Sequence, residues 1–255
     1  MFLDFIEIFI LSLIQGISEF LPVSSSAHLI VISTLYKFKA NSMLIDVSLH
    51  LGSLTAIVYY FRKELLDLKK NKKILKLIII GSVPIMIFGY IIYITELIYL
   101  LRNIKVIAWT TLIFGLVLYI ADKNDLNKKI SSDLKLSTIL FIGFFQVLSL
   151  IPGVSRAGIT ITAGRILNFN RADSAKISFL LSIPALAGAS FLSLKNIHYE
   201  SIEFNYLVLS SIIFSFIFSY LTIKFFLDYI KKFSLNIFVI YRVMVAIILF
   251  ILIYS

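Results

Sequence analysis

The chain has 255 residues, of which 60% are hydrophobic and 15% charged, and its mean hydropathy is +0.98. A soluble domain of this length cannot bury so much apolar surface, so the composition excludes a soluble protein and predicts a membrane protein. The absence of cysteine excludes disulfides, thiolate nucleophiles and cysteine-ligated zinc. We assign the net charge of +10 to cytoplasmic loops that meet membrane lipids, and expect no nucleic-acid partner.

Long apolar runs recur along the whole chain. A helix needs about 20 residues to cross the apolar core of a bilayer. By this measure the chain is a single membrane domain, residues 1–255, with an all-α fold. The predicted spans lie at roughly 43–61, 77–95, 105–121, 175–194, 205–226 and 236–254.

The charged residues between these runs predict the topology. Segment 62–76 carries seven lysines and arginines against two acids, and segment 224–232 is also basic. Basic loops stay on the cytoplasmic side, so both segments are predicted inside. Loop 195–204 has two glutamates against one lysine and is predicted outside. Counting crossings then places 96–104 outside and 122–135 inside.

Two further apolar segments are interrupted near their middles. Residues 2–36 are broken by Pro22 and a run of serines, and residues 136–170 are broken by Pro152 and Gly153. Irregular backbone at membrane depth is tolerated only where protein buries it or where it lines a polar cavity. We therefore predict two re-entrant helical hairpins that meet near the midplane, the first opening from outside and the second from inside.

A weak internal repeat relates the two breaks. Setting residues 15–25 over residues 146–156 without a gap aligns a glutamine, two serines and a valine. Each hairpin is followed by a span that an aspartate leads. The pattern predicts inverted repeats, one at about 1–121 and the other at about 136–255, with a site at their interface.

The first break contains candidate metal ligands. A charged group costs at least about 2.5–3.5 kcal/mol to insert into a bilayer, so Glu19 and His28 are functional candidates. Gln15 and Glu19 lie four residues apart on one helical face, and the oxygens of both suit a hard divalent cation. The alternatives are a packing hydrogen bond for Gln15 and an arginine ion pair for Glu19.

The serine run turns the first hairpin. Ser24, Ser25 and Ser26 precede its second helix, where any of them could act as a cap, but one cap does not require three serines. His28 lies about one turn beyond Ser25. We expect its imidazole to approach the same cavity as the hydroxyls and to act as base or acid, with a satisfied structural histidine as the alternative.

The second break has the character of an anion site. Gly153 permits backbone conformations that other residues resist. Ser155, the following amides and Thr160 can donate hydrogen bonds at a helix N-terminus, and the Arg156 guanidinium suits phosphate oxygens. Acid, hydroxyl and histidine groups opposite such a site favour phosphoryl chemistry. A water-soluble ester would not need a site at this depth, whereas a lipid diphosphate would.

Four other polar residues receive structural interpretations. Asp46 and His50 lie four residues apart, and we expect them to pair, with a site role for His50 as the alternative. Arg165 and Arg171 are predicted near the cytoplasmic end of the second hairpin, with their side chains extended toward the interface.

The two motifs closely resemble the paired signatures of the undecaprenyl-diphosphate phosphatase family, the bacitracin-resistance type of membrane phosphatase. QGISEFLPVSSSAH begins with Gln15 and Glu19 at the Glu/Gln-x-x-x-Glu positions of the first signature. PGVSRAGIT, residues 152–160, matches the second signature. SFLLSIP at 178–184 and the pair at 241–242, Tyr and Arg, also look like the family, so the resemblance extends over nearly the whole chain.

The resemblance implies an inner-membrane hydrolase that converts undecaprenyl diphosphate to the monophosphate, recycles this carrier for peptidoglycan synthesis and confers bacitracin resistance. It also implies a magnesium or calcium cofactor and an active site that opens to the outer, periplasmic face. The implied catalytic residues are Glu19, Ser25, His28 and Arg156; the phosphate-binding residues are Ser24, Gly153, Ser155, Arg156 and Thr160; and the metal ligands are Glu19 and Gln15.

Several alternatives stay open at the level of sequence. Residue identity does not decide whether Ser25, His28 or water attacks phosphorus. Gln15 leaves the cavity with one carboxylate fewer than a glutamate would give, which weakens any mechanism that needs two acidic metal ligands. A lipid transporter is the main rival function, because inverted repeats with broken helices are common in transporters. A homodimer is also left open.

Overall fold

The structure is a computed structural model that describes residues 2–36, 43–123, 128–196 and 206–254. No β-sheet occurs in these ranges, and the all-α prediction is confirmed. A short 3-10 turn at Leu148–Leu150 follows α9. The helices are α1 (Phe2–Ser18), α2 (Ser25–Tyr36), α3 (Met43–Tyr60), α4 (Arg62–Leu66), α5 (Leu68–Ile94), α6 (Ile98–Leu101), α7 (Ile104–Asp122), α8 (Ile130–Asp133), α9 (Leu136–Val147), α10 (Arg156–Ile166), α11 (Arg171–Asn196), α12 (Tyr206–Ile230) and α13 (Asn236–Tyr254).

The long helices confirm a multi-pass membrane protein. Within the described ranges, five helices are long and apolar enough to cross a membrane, and they correspond to five of the six predicted spans. The sixth predicted span forms α3, a shorter apolar helix. The five long segments are Lys69–Ile94, Ile104–Asp122, Arg171–Ser193, Tyr206–Ile230 and Asn236–Tyr254.

The basic segment 62–76 is helical rather than an open loop. It forms α4 and the first turns of α5, which begins nine residues before the predicted span at 77. Lysine is a good helix former, and the Asp67 side chain caps α5 by accepting a hydrogen bond from the Lys70 amide at 3.2 Å. The predicted outside loop 195–204 starts within α11 and otherwise lies beyond the described residues.

One end of the helix bundle is marked by segment 62–76, and we call it the basic end. α3 finishes there, and α4 and α5 begin there. α11 also begins at this end, since Nζ of Lys176 lies 2.9 Å from Oε2 of Glu64. α12 finishes at the same end, since the ring centroid of Tyr220 lies 6.0 Å from that of Tyr60. These contacts fix the directions of α3, α5, α11 and α12. Asp122, the last residue of α7, contacts Arg171 at the start of α11 and Leu235 just before α13, so α7 finishes and α13 begins at the same end.

The first helix of the first hairpin runs parallel to α12. The ring of Phe5 lies 5.6 Å from that of Phe214, and Gly16 packs against Phe218 further along both helices. A side chain at Gly16 would collide with the Phe218 side chain, so the glycine permits the close approach. Because α12 finishes at the basic end, α1 starts at the opposite end.

The second helix of this hairpin returns to the end where α1 starts. The ring of His28 stacks on Tyr241, near the start of α13, while Val31 packs in the same apolar cluster as Leu249, further along α13. α2 therefore runs parallel to α13 and away from the basic end. The first hairpin enters and leaves at one end, as predicted.

The second hairpin enters from the basic end. α9 runs parallel to α5, because Gly143 lies against the main chain of Gly81 and Leu150 lies beside Gly89. After the break, α10 returns, and its Gly164 packs against Ser174 in the first turn of α11. The two hairpins therefore approach each other from opposite ends, and their tips meet inside the bundle.

The two tips share a backbone feature. Ser24 and Ser155, which the internal repeat aligns, each directly precede the second helix of a hairpin. Their φ angles are 75° and 71°, in the left-handed region that residues with a side chain seldom adopt. This match supports the predicted repeat, whose boundaries stay a prediction.

Arg242, in α13, holds the two tips together. It is fully buried, and its guanidinium donates hydrogen bonds to main-chain carbonyls from three parts of the chain. The acceptors are Pro22 (3.3 Å), Gly153 (2.9 Å), Val154 (3.0 Å), Thr110 (3.4 Å) and Thr111 (3.1 Å). Since each carbonyl at a break lacks a helical partner, this single side chain satisfies several of them at once.

The prediction that Arg165 extends toward the interface is wrong. Arg165 is 2% exposed, and its Nε lies 3.0 Å from Oδ1 of Asp122. Arg171 also turns to this carboxylate, with its Nε 2.8 Å from Oδ1. The amide of Leu235 donates to the same carboxylate at 3.0 Å. A buried charge is stable only with such partners, so Asp122 joins α7, α10, α11 and the segment before α13.

Candidate active site

Glu19 lies at the centre of a polar cluster between the hairpin tips. Glu19 is 7% exposed and directly follows α1. Oε2 accepts hydrogen bonds from Ser25 Oγ at 2.6 Å and from Gln15 Nε2 at 2.9 Å. Oε1 accepts one from Arg156 Nη2 at 2.7 Å. The structure thus brings three sequence-predicted site residues, from α1, α2 and α10, to the carboxylate of a fourth.

Arg156 supplies the positive charge of the cluster. Its side chain is 11% exposed, and its ion pair with Glu19 crosses from one hairpin to the other. A buried carboxylate would be costly without such a partner. The guanidinium carbon also lies 5.9 Å from the ring centre of Phe20. Nη1 of Arg156 is buried and has no hydrogen-bond partner among the described residues, so the guanidinium keeps an unused donor beside Glu19.

His50 belongs to this cluster, which is the site role that the sequence analysis gave as the alternative. Its Nδ1 lies 3.0 Å from Nε2 of Gln15 and 3.9 Å from Oε2 of Glu19. The sequence favoured a pair between His50 and Asp46. Asp46, one turn earlier on α3, lines the same cavity as His50 and is close enough to interact with it electrostatically, so the site contacts of His50 do not exclude this pair. One feature of the sequence does indicate this role for His50, since an ionisable residue within a membrane span is a functional candidate by default.

A polar cavity adjoins the cluster. It has a volume of about 310 Å³ and is lined by Ser26, Asp46, His50, Arg102 and Ser149, together with apolar residues. Since α3 and α7 both begin beside it, the cavity lies at the end of the bundle opposite the basic end. His50 connects it to Glu19. The cavity therefore gives a polar approach to the cluster from this end of the bundle.

His28 points away from Glu19. Its Nδ1 lies 2.7 Å from the carbonyl oxygen of Ser24, and its Nε2 lies 2.6 Å from the Tyr241 hydroxyl. The imidazole lines two largely apolar cavities, of about 200 and 390 Å³, rather than the polar one. Rotation of α2 explains this placement, because packing against α13 fixes the face that carries His28. The prediction that His28 shares a cavity with the serine hydroxyls is therefore wrong.

The predicted anion site is only partly assembled around Arg156. Ser155 caps α10, its Oγ accepting a hydrogen bond from the Gly158 amide at 3.1 Å. Thr160 lies one turn deeper and is fully buried, with Oγ1 2.7 Å from Ser178 Oγ. The Thr160 hydroxyl is thus satisfied inside the protein. Its phosphate-binding role, like that of Ser155, stays a prediction.

Gly153 and Ser24 shape the tips. Gly153 has a φ of 92°, and a Cβ there would collide with the side chain of Thr110, so the turn requires glycine. Ser24 Oγ lies 3.4 Å from Ser26 Oγ, and the Ser24 carbonyl contacts His28. Neither residue touches Glu19 in the contacts described above. Their phosphate-binding roles stay predictions.

The cluster fits a metal ion only if the substrate supplies further ligands. Within the described residues, no group of three histidine, cysteine, aspartate or glutamate side chains could hold a metal. Gln15 Oε1, however, is buried without a hydrogen-bond partner in the described part of the chain, beside the Glu19 carboxylate. Magnesium is commonly held by one or two carboxylates, water and substrate phosphates. Glu19 and Gln15 satisfy that smaller requirement.

Together, the hairpins and this cluster define an integral membrane protein with a buried acid–serine–arginine site, reached by a polar cavity. A family profile described as "Bacitracin resistance protein BacA" matches residues 8–248. The chain therefore belongs to the bacitracin resistance protein BacA family.

Full-length relatives carry one enzymatic name. The chain is 66% identical over 256 residues to a protein of Pelagibacter ubique named undecaprenyl-diphosphatase, and the match covers 100% of both chains. It is 41% identical over 251 residues to a protein of the same name from Elusimicrobium minutum, covering 95% of each. A third, from Saccharophagus degradans, is 38% identical over 272 residues, covering 99% of each.

Proposed function

We propose that the chain hydrolyses undecaprenyl diphosphate to undecaprenyl phosphate and inorganic phosphate in the bacterial inner membrane. The names of its full-length relatives and its family membership support this activity. The observation that carries the proposal is the contact of Glu19 with both the Ser25 hydroxyl and the Arg156 guanidinium. The product would re-enter peptidoglycan synthesis as lipid carrier, and its recovery would give bacitracin resistance.

Ser25 is the nucleophile that the geometry favours. Its hydroxyl already donates to Oε2 of Glu19 at 2.6 Å, which is the arrangement of a nucleophile and its general base. As Ser25 Oγ bonds to the terminal phosphorus, its proton moves to Glu19. The bond between that phosphorus and the bridging oxygen breaks, and undecaprenyl phosphate leaves. Water then attacks the phosphorus of the phosphoserine, Ser25 Oγ takes its proton back from Glu19 as its bond to phosphorus breaks, and inorganic phosphate leaves.

Arg156 stabilises the charge that develops on the transferred phosphoryl group. Nη2 is held by Glu19, so the fork is fixed, while the unpartnered Nη1 remains for a phosphate oxygen. A donor that is already oriented needs no reorganisation during the reaction, and such groups commonly contribute 10²–10³ in rate. Gln15 and His50 keep the Glu19 carboxylate in place from the other side.

A divalent cation, magnesium or calcium, completes the proposed site. Glu19 and Gln15 Oε1 would hold it together with the diphosphate, and it would neutralise part of the phosphate charge. Glu19 cannot serve as a full metal ligand and as the base for Ser25 through the same oxygen. We therefore assign Oε2, which accepts from both Ser25 and Gln15, to the base, and Oε1 of Glu19 together with Gln15 Oε1 to the cation.

The site opens to the outer, periplasmic face in this proposal. The polar cavity lies at the end of the bundle opposite segment 62–76. Basic segments next to membrane spans stay in the cytoplasm. The diphosphate group would therefore reach Arg156 from outside the cell. A homodimer, which the sequence left open, stays a prediction.

Two other nucleophiles and one other function remain distinct from this mechanism. Water, rather than Ser25, could attack phosphorus with Glu19 as its base, whereas attack by His28 would require the imidazole to leave Tyr241. Lipid transport is the second candidate function, which the paired broken helices favour. The Ser25–Glu19 hydrogen bond has no evident use in transport, so hydrolysis is preferred.

Phosphate release from undecaprenyl diphosphate by purified protein in detergent tests the function. We expect release that requires magnesium or calcium and stops when a chelator is added. The same protein in vesicles would be assayed for movement of labelled undecaprenyl phosphate between leaflets. Lipid movement by folded protein without phosphate release would favour the transporter.

A further inference from the structure

An apolar groove runs between the second halves of α5 and α11. Its volume is about 320 Å³, and its walls include Met86, Gly89, Leu150 and Ala189. Among its lining residues in the described part of the chain, Arg156 alone is charged. The groove therefore combines an apolar trough with one cationic group, and that group is the one that binds Glu19.

The groove lies on the lipid-facing side of the helix pair. Ile87, next to the groove on α5, is 53% exposed, and Phe191, next to it on α11, is 71% exposed. Large apolar side chains with this exposure on membrane-spanning helices contact lipid rather than water. A chain in the groove can thus extend sideways into the bilayer without crossing a polar layer.

The groove and the polar cavity converge on the same place. Leu150 lines both of them, and Arg156 lines the groove while bonding to Glu19, the partner of the cavity residue His50. A molecule with a long apolar part and an anionic end would fit both spaces at once. Its anion would lie on the polar side of Leu150, and its hydrocarbon on the apolar side.

We infer that this α5–α11 groove binds the diphosphate-proximal isoprene units of the lipid substrate. The inference rests on the proposed function. Transfer of the apolar chain into water is unfavourable, and so is transfer of the diphosphate into hydrocarbon. The groove keeps the chain in an apolar setting while the diphosphate lies beside Arg156. The walls therefore help to select a long prenyl chain.

A second apolar cavity is the competing place for the chain. It has a volume of about 390 Å³ and is lined by Ile17, His28, Phe225 and Tyr241, among others. Its lining includes no charged residue among those described, and the His28 and Tyr241 polar atoms bond to each other. With nothing there to attract a diphosphate, we assign the substrate chain to the α5–α11 groove.

Cysteine labelling tests the assignment, because the chain has no cysteine of its own. Ser193→Cys and Ala189→Cys each place a single thiol in the α5–α11 groove, and Ile17→Cys places one in the competing cavity. The rate of labelling by a membrane-permeant maleimide would be measured for each purified variant. Each variant would be labelled in detergent alone and in detergent with undecaprenyl phosphate, phosphatidylglycerol or inorganic pyrophosphate.

We expect undecaprenyl phosphate to protect the two groove thiols and not the thiol at position 17. At a ligand concentration about ten times the dissociation constant, labelling should slow about tenfold, because the free fraction falls by that factor. Phosphatidylglycerol and pyrophosphate should give little protection. Equal protection by phosphatidylglycerol, or protection at position 17 alone, would overturn the inference.

Activity of the same variants separates this inference from the proposed function. A variant that releases phosphate normally but shows no protection in the groove would overturn the groove and leave the hydrolase intact. No phosphate release by folded wild type, together with no protection of the thiol in the folded groove variants, would overturn both. Gly89→Phe is a second test, since a Cβ there meets only Leu150 at 3.8 Å and the ring would fill the groove. We expect it to raise KM for undecaprenyl diphosphate more than it lowers kcat.

Discussion

Nη2 of Arg156 lies 2.7 Å from Oε1 of Glu19, so a side chain from the second hairpin pairs with a carboxylate from the first. This one contact joins the two broken segments and fixes the Arg156 guanidinium beside the carboxylate that we propose as the general base. The Glu19–Arg156 pair therefore contributes both to stability and to the proposed catalysis, and mutations can separate the two effects.

Removing one partner of this pair should unfold the tips. In Glu19→Gln the Arg156 charge loses its partner, and breaking a buried ion pair in this way costs about 3–5 kcal/mol. The double variant Glu19→Gln/Arg156→Met removes both charges, and we expect it to recover much of that loss. Thermal unfolding in detergent measures the effect. If the double variant were less stable than both single variants, the unpaired charge could not be the cause of their destabilisation.

Arg242 should be more important for stability than its distance from the reacting groups suggests. Arg242→Met leaves carbonyls of both tips without donors, and each buried unsatisfied group costs about 1–3 kcal/mol. We expect the midpoint of thermal unfolding to fall by about 5–10 °C, using the usual scaling for a chain of this size. Arg242→Lys should recover only part of the loss, because an ammonium cannot span the same acceptors.

An exposed arginine provides the control for Arg242. Arg62→Met removes the same charge and a single hydrogen bond to the Tyr59 carbonyl, at the basic end. We expect its unfolding midpoint to change by less than about 2 °C, as is usual for surface substitutions. Equal changes in the unfolding midpoint for Arg242→Met and Arg62→Met would mean that the contacts of Arg242 with the hairpin tips add no more stability than a surface arginine does.

Two glycines offer a matched test of the second break. Gly153→Ala must place a side chain at a φ of 92° and against Thr110, so we expect a loss of about 1–3 kcal/mol and of phosphate release. Gly89→Ala meets only Leu150 at 3.8 Å and should be tolerated. Unfolding and activity assays on both variants decide this. A tolerated Gly153→Ala would mean that the break is less constrained than its contacts indicate.

His50 should act as a positioning residue for the Glu19 cluster. His50→Ala removes the partner of the Gln15 amide, and the loss of a residue that orients a functional group commonly costs 10–100-fold. We expect kcat to fall by about tenfold or more, with the unfolding midpoint nearly unchanged, since this side chain is 33% exposed. His50→Gln, which keeps a hydrogen-bonding group, should recover part of kcat. Unchanged kcat in His50→Ala would exclude the role.

Some of this site follows from the sequence alone. Glu19 and Arg156 stand out because a charge within an apolar run is costly, and Pro22 and Gly153 mark the places where helices must break. The directions of the hairpins also follow, because the basic segments orient the spans. In each case a short stretch of sequence is tied to a large change in free energy.

Other features depend on packing that local patterns do not contain. The five acceptors of Arg242 come from three distant segments, so no spacing rule predicts them. His28 was placed correctly on α2, but its direction depends on how α2 rotates against α13. Arg165 shows the same limit, since its burial depends on Asp122, which lies 43 positions earlier in the sequence.

The most direct test compares Ser25→Ala with Ser26→Ala in the release of phosphate from undecaprenyl diphosphate. Ser25 donates to Glu19 at 2.6 Å, whereas its neighbour Ser26 lines the polar cavity. Loss of an activated nucleophile should lower kcat by at least about 10³, by comparison with other hydrolases, and Ser26→Ala should stay within about tenfold of wild type. Near-normal release by folded Ser25→Ala would contradict the central claim that Ser25, activated by Glu19, attacks phosphorus.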